Sequence, residues 1–355
     1  MKIITVVGAR PQFIKAAAVS REIKKHSGLL EILVHTGQHF DDNMSEIFFR
    51  EMEIPKPQIN LGIHDMTHGA MTGTMIIELE KVMAAEKPDV VLIYGDTNST
   101  LAGALAARKL HIKLAHIEAG LRSFNMKMQE EINRIVSDRI SNFLFCPTED
   151  ALNNLKREGF ENFGCRLLNS GDVMYDAALH YSKTSAQKSN VIKKLNMNEF
   201  ILCTLHRAEN TDDVSRLTAI ITALNKVSEK ISVVLPLHPR TRKIIAAHKL
   251  KLNFPVLEPV GYFDMLEMLK HCRLVLTDSG GLQKEAFFFE KYCVTLRDET
   301  EWHQLSGAGY NKIAGSGSSN ILKAVDEMLS KNLSFAEKYF GRGDAAAVIA
   351  ATLLQ

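Results

Sequence analysis

Short runs rich in β-branched residues alternate along this chain with longer amphipathic segments, and no other feature restricts its fold as much. In the first half the runs fall at 2–7, 31–35, 89–94, 112–117, 142–147 and 166–170. The segments between them supply the crossover that consecutive parallel strands require. After a polar stretch at 182–198 the pattern restarts, with runs at 200–205, 232–236, 256–257, 274–277 and 292–296. A chain of 355 residues exceeds what one ordinary core encloses, so the restart predicts a second domain. The expectation is an α/β protein of two Rossmann-like domains with parallel sheets, over residues 1–170 and 171–343, joined near Gly171. An alanine-rich helix over 344–354 follows Gly341-Arg342-Gly343.

Composition contributes exclusions. Apolar residues are 46% and charged residues 24% of the chain, which is ordinary for a soluble protein, and no apolar run approaches a membrane span. The first run is too short for a signal-peptide core, so a cytoplasmic protein without membrane attachment is expected. A net charge of +2 with no basic tail or stripe leaves no footprint for nucleic acid. Cys146, Cys165, Cys203, Cys272 and Cys293 include no C-x-x-C pair, and no H-E-x-x-H motif occurs, so no disulfide framework and no metal are expected.

In open parallel sheets ligands bind beyond the carboxyl ends of the strands, so the residues following each run carry the chemistry. After the first run stands Gly8-Ala9-Arg10-Pro11-Gln12-Phe13-Ile14-Lys15, a tight turn into a helix with Arg10 and Lys15 near its N-terminus. That arrangement suits an anion, and it equally suits a plain strand-to-helix turn with solvated cations. A single glycine there is not the G-x-G-x-x-G dinucleotide fingerprint, and no nicotinamide or other cofactor is expected. Asp96 follows the third strong run and Glu118 the fourth, so two carboxylates emerge at the same sheet edge. Gln129-Glu130-Glu131-Ile132-Asn133-Arg134 then opens an amphipathic helix that brings Glu130 and Arg134 close by. Carboxylates beside cations suit proton transfer, because neighbours separate their pKa values into an acid and a base. Asp96 can also be a helix N-cap, and Glu130 and Glu131 first-turn charges on a helix dipole. Glu118, at an apolar strand end without a capping duty, favours function.

In the second half His206 and Arg207 follow a fully apolar run and suit a phosphate leaving group, although a lone histidine there is often structural. Thr277-Asp278-Ser279-Gly280-Gly281-Leu282-Gln283-Lys284-Glu285 reads as strand, glycine turn and helix. Backbone N–H groups at Ser279, Gly280 and Gly281 suit a diphosphate, and Glu285, one turn on, suits ribose hydroxyls.

Taken in order, GARPQFIK, HTGQHFD, YGDTNSTLAGALAA, HIEAGLRS, EEINR, TLHRAEN and DSGGLQKEA resemble the non-hydrolysing UDP-N-acetylglucosamine 2-epimerase family over essentially the whole chain. The resemblance implies a glycosyltransferase-B-like fold with the active site in the interdomain cleft, a homodimer, and a C-terminal helix that returns to the first domain. It places proton-transfer carboxylates at Asp96, Glu118 and Glu130. Groups contacting the UDP-sugar fall at Arg10, Lys15, Arg134, His206, Ser279, Gly280, Gly281 and Glu285. Enolisation cannot reach C2 of an N-acetylated sugar, so the implied route eliminates UDP across C1 and C2 and re-adds it to the resulting glycal, with His206 and the arginines stabilising the diphosphate.

Some residues depart from the family's pattern. Gln129 stands where proline usually precedes the glutamate pair, and Trp302 in Arg297-Asp298-Glu299-Thr300-Glu301-Trp302 stands where arginine is frequent. With GARPQFIK and RSFNM, this loop is similar to the branch acting on UDP-2,3-diacetamido-2,3-dideoxy-glucuronate, for surface polysaccharide precursors. That substrate is expected ahead of UDP-N-acetylglucosamine. Gln38 and His39 are kept, whereas Asp41 and His68 replace glutamines that in bacterial members hold an activating second substrate molecule. A UDP-sugar glycosyltransferase shares the nucleotide features without needing three carboxylates. A hydrolysing epimerase begins with a different turn, GSRAEY, and a nucleotide-sugar sensor needs no acid–base set.

Overall fold

The computed structural model describes residues 1–38 and 56–355, with Arg10 described through its backbone, so His39 and Asp41 lie outside the described residues. The chain divides into two compact units, Met1–Leu179 with Lys338–Gln355, and His180–Glu337.

The first unit contains β1 (Lys2–Val7), α1 (Arg10–Ile23), β2 (Leu30–His35), β3 (Ile59–Asn60), α2 (His68–Glu86), β4 (Val90–Tyr94) and α3 (Asn98–Lys109). It continues with β5 (Lys113–Ile117), α4 (Gln129–Ile140), β6 (Phe143–Cys146), α5 (Glu149–Arg157) and β7 (Arg166–Asn169). Helix α6 (Val173–Lys188) runs across the boundary between the units. The second unit holds α7 (Val191–Leu195), β8 (Ile201–Thr204), α8 (Ala208–Thr211), α9 (Val214–Ser228), β9 (Val233–Pro236), α10 (Pro239–Ala247), β10 (Val256–Leu257) and α11 (Tyr262–His271). Then come β11 (Leu274–Thr277), α12 (Gly280–Phe288), β12 (Cys293–Thr295), α13 (His303–Gly307), β13 (Asn311–Ile313), α14 (Ser318–Ser330) and, back in the first unit, α15 (Ala345–Leu353).

Each unit is built on one parallel sheet, in the order β3-β2-β1-β4-β5-β6-β7 and β10-β9-β8-β11-β12-β13. Both follow the Rossmann winding, reversing between β1 and β4 and between β8 and β11, and a crevice opens at the carboxyl side of such a reversal. The continuous apolar runs are explained by helices on both sheet faces, which bury Ile3, Ile4, Val6 and Val7 and likewise Leu274, Val275 and Leu276. Two strands lie beyond the sequence pattern. β3 has two residues at a sheet edge, and β13 has three between glycine turns, too short in either case for a period to register. The polar stretch at 182–198 is the end of α6 together with α7, its polarity meeting α11 where Lys270 Nζ donates to Ser182 O at 2.6 Å. No helix among the described residues is long and apolar enough to cross a membrane.

Helix α15 packs on α1. Its first N–H groups are capped from α6, Asp176 accepting from Ala345 N at 3.2 Å and Ala346 N at 2.7 Å. The chain enters beside Gly171, where a Cβ on Gly341 would stand 2.9 Å from the Gly171 Cα, so both backbones must be bare.

A buried charge array ties the carboxyl ends of β4 and β5 to α4. Asp138 Oδ1 faces His116 Nδ1 at 2.7 Å, and His116 Nε2 faces Gly95 O at 2.7 Å, so a proton on each nitrogen satisfies both acceptors. Asp138 Oδ2 accepts from Gly120 N at 3.1 Å and Arg122 NH1 at 2.7 Å. Arg122 also donates to both Glu158 oxygens, at 2.7 and 2.8 Å. Burial pushes the Asp138 pKa up, but His116 and Arg122 outweigh it and the net shift is downward.

Two outcomes follow from these contacts. Asp176→Ala removes the cap of α15 and should cost about 1 kcal/mol in urea unfolding; an unchanged midpoint would show that the cap contributes nothing. Asp138, with its folded pKa below its unfolded one, stabilises above the unfolded value near ~3.9 and loses that contribution as pH falls through the folded value. Asp138→Asn should therefore cost about 3–5 kcal/mol at pH 7 and flatten the acid limb of the stability profile. A profile parallel to that of the unsubstituted protein would refute this.

Candidate active site

At the reversal of the first sheet, the turn between β1 and α1 is organised by Gln12. Its Oε1 accepts from Gly8 N at 2.8 Å and Ala9 N at 2.9 Å, while Nε2 donates to Tyr94 O at 2.8 Å and Thr100 Oγ1 at 3.0 Å. The two backbone donors that an anion would use in this turn are thus already occupied. Lys15, buried one turn into α1, directs its ammonium to the Glu118 carboxylate.

Glu118 leaves the end of β5 with φ +71°, the left-handed region, and both it and Ala119 donate their N–H to Phe145 O at 3.1 Å. That conformation costs a non-glycine residue about 1–3 kcal/mol and persists where surroundings over-determine it, a pattern that clusters at functional sites. Asp96, two residues beyond β4, pairs with Arg134 of α4, and Asn133 Nδ2 donates to its carbonyl at 2.9 Å. The N-cap of α3 is Thr97, so capping does not account for Asp96. Glu130 is exposed in the first turn of α4, whereas Glu131, Asn133 and Arg134 are buried. Arg134 is held between two carboxylates, Asp96 and Glu131. The structure therefore sets Asp96 and Glu118 on adjacent strand ends, each against its own cation.

In the second unit Asp278, fully buried at the end of β11, gathers the loop after β8. It accepts from His206 N at 3.0 Å and Arg207 N at 2.9 Å, and its Oδ1 lies 3.1 Å from His206 Nδ1. Burial raises the Asp278 pKa, but the hydrogen bond and charge of His206 and the two backbone donors bring it net below its usual value. The His206 side chain is 48% exposed, with Nδ1 facing Asp278.

Ser279 caps α12, and its own N–H is taken by Thr277 Oγ1 at 2.9 Å. The N–H groups of Gly280 and Gly281 have no hydrogen-bond partner among the described residues and remain as the anion donors of that turn. The loop 297–302 braces the turn. Trp302 Nε1 donates to Gly280 O at 2.8 Å with the Lys284 ammonium 5.0 Å from its ring, and Gln283 Nε2 donates to Ser279 O at 3.3 Å. Arg297 is buried with two bonds of 2.9 and 3.1 Å from NH1 to Glu301, and a Cβ on Gly280 would stand 3.4 Å from the same carboxylate. For Arg297, burial lowers the pKa, but the Glu301 carboxylate raises it more; for Glu301, burial raises the pKa, but Arg297 lowers it more. Glu285 is buried in α12.

Sequence reasoning passed over Gln12, Glu131, Asp138 and Asp278. For Asp278 a signal existed, a carboxylate between a strand and a glycine turn. The others lie inside helices, where no periodicity separates an inward polar residue that holds a loop from one that faces solvent.

A model of the UDP-N-acetylglucosamine 2-epimerase family matches residues 21–354. The UDP-2,3-diacetamido-2,3-dideoxy-D-glucuronate 2-epimerase of Pseudomonas aeruginosa is 55% identical over 351 residues, covering 99% of this chain and 98% of that protein. The crystal structure of the Methanocaldococcus jannaschii UDP-GlcNAc 2-epimerase in complex with UDP-GlcNAc and UDP superposes with a TM-score of 0.92 at 42% identity, covering 100% of this chain and 99% of that one. A second similar structure, the UDP-GlcNAc 2-epimerase of Neisseria meningitidis bound to UDP-GlcNAc, gives a TM-score of 0.89 at 32% identity over the whole of both chains. With two Rossmann-wound units and a match of this length, the chain belongs to the UDP-N-acetylglucosamine 2-epimerase family of isomerases.

Proposed function

We propose that this protein inverts C2 of UDP-2,3-diacetamido-2,3-dideoxy-glucuronate by eliminating and re-adding UDP, and that it acts as a cytoplasmic homodimer. The observation that carries the reaction is the pair Asp96 and Glu118, on neighbouring strand ends at a sheet reversal and each against a buried cation. The sugar is favoured by the 55% identity to the Pseudomonas aeruginosa enzyme of that name and by the loop ending in Trp302.

In the elimination a carboxylate takes the C2 proton, the C1–O bond breaks with its electron pair leaving on the diphosphate, and a C1=C2 double bond forms. In the return step the diphosphate oxygen adds to C1, and C2 receives a proton on the opposite face. Asp96, Glu118 and Glu130 supply the acid–base set. Lys15 and Arg134 balance the charges of the first two carboxylates. Arg10, the N–H groups of Gly280 and Gly281, the Ser279 cap and His206 hold the diphosphate, and Glu285 takes the ribose. Asp278 orients His206 so that charge growing on the leaving oxygen meets a fixed donor, an effect often worth about 3 kcal/mol.

Incubation in heavy water without an acceptor should place deuterium at C2 of UDP-2,3-diacetamido-2,3-dideoxy-glucuronate, faster than at C2 of UDP-N-acetylglucosamine. No exchange with either sugar would overturn the reaction, and faster exchange with UDP-N-acetylglucosamine would reverse the substrate order. Glu118→Gln should slow exchange about 100-fold or more while UDP affinity, read by calorimetry, stays within threefold. A large loss of UDP affinity in that variant would instead make Glu118 a nucleotide-binding or structural residue.

A further inference from the structure

The glutamate pair that opens α4 is divided between two environments, Glu130 exposed and Glu131 1% exposed. A first-turn carboxylate that merely faces the helix dipole has no reason to leave water, and burying it is costly unless every lone pair is used. Glu131 uses them on two different parts of the site. Its Oε2 accepts from Arg134 NH1 at 2.8 Å, and the other terminal nitrogen of Arg134 holds the Asp96 carboxylate. Glu131 also collects two consecutive backbone donors, Ser123 N on the same Oε2 and Phe124 N on Oε1, each at 3.0 Å.

Phe124 needs such restraint. A bulky aromatic residue rarely adopts φ +57°, and Phe124 is 70% exposed, so neither intrinsic preference nor burial keeps it there. The two bonds to Glu131 do. The same carboxylate therefore fixes the loop at 123–124 and, through Arg134, the direction of Asp96, while Asn133 of the same helix turn fixes the Asp96 carbonyl.

We infer that Glu131 is a positioning residue for the epimerisation, setting Asp96 through Arg134 and locking the Phe124 loop to it as one unit. The inference deepens the reaction proposed above and rests on it. An amide at 131 keeps the shape but turns one acceptor into a donor opposite an N–H, so Arg134 loses the charged partner that holds it while Asp96 keeps its charge.

The test is a double-mutant cycle read by C2 deuterium exchange, using Glu131→Gln, Asp96→Asn and the double variant, with the unsubstituted protein alongside. Glu131→Gln should lower kcat for exchange about tenfold or more, leave KM and UDP affinity within about threefold, and add nothing in the Asp96→Asn background, because both changes disable one unit. Additive losses, or a loss confined to KM or the thermal midpoint, would make Glu131 a structural residue and overturn the inference. Should Glu131→Gln fail to fold, Glu131→Asp, with the charge on a shorter stem, goes through the same cycle with the same criteria. Absence of exchange in the unsubstituted protein would sink the reaction and this inference together, whereas exchange there with additive variants sinks the inference alone.

Discussion

The reactive edge of the first unit hangs from one buried carboxylate. Asp138 is reached by the His116 ring, the Arg122 guanidinium and the Gly120 N–H, and these contacts fix the chain one residue before Asp96 and two residues after Glu118. An array of this kind is weak evidence for stability, since apolar side chains of similar volume often serve as well. Its value lies in direction. A packed apolar core resists compression but does not specify where two loops stand to a fraction of an ångström, whereas hydrogen bonds to backbone N–H and C=O groups do.

The second unit solves the same problem in the same way. Asp278 also lies at the carboxyl edge of a parallel sheet, accepts from a histidine ring and from backbone N–H groups, and is held ionised by them against the cost of burial. The two histidines differ in exposure. His116 is fully buried between Asp138 and the Gly95 carbonyl, which fits it for holding a loop, while the His206 side chain is half exposed, as the role proposed for it on the diphosphate requires. An identical pair of residue types thus takes two duties according to whether the second ring nitrogen is occupied.

This contrast also explains what could be read from the sequence. The sheets were legible because burial on both faces forces unbroken apolar runs, and the positions of Asp96, Glu118, His206 and Ser279 to Gly281 just beyond strand ends were legible from the same runs. The edge strands β3 and β13 were not, being shorter than any period. Nor was the true employment of the turn after β1 legible, since Gln12 looks like any polar helix residue until its four hydrogen bonds are seen. Glu130 and Glu131 pose the same difficulty, because adjacent positions of one type differ in the helix face they occupy, and the approach of Ser123 and Phe124 that distinguishes them is tertiary.

The distribution of charge bears on how elimination can be reversible. Lys15 faces Glu118, and Arg134 stands between Asp96 and Glu131, so the cations of the first unit's acid–base region are matched by carboxylates of the same unit. Of the cations whose side chains are described there, Lys15 and Arg134 are both engaged in this way, which leaves Arg10 as the first unit's cation for a diphosphate in the proposed reaction. In the proposed reaction the Gly280 and Gly281 N–H groups and His206 answer to a different requirement, holding an anion whose charge rises when the C1–O bond breaks. The proposed division of proton transfer and leaving group between separate residues would allow UDP to stay bound after the bond to sugar is gone, and re-addition at C1 demands that retention. Were the same cations to serve both, each proton transfer would loosen the grip on UDP at the moment when its loss would end the reaction as a hydrolysis.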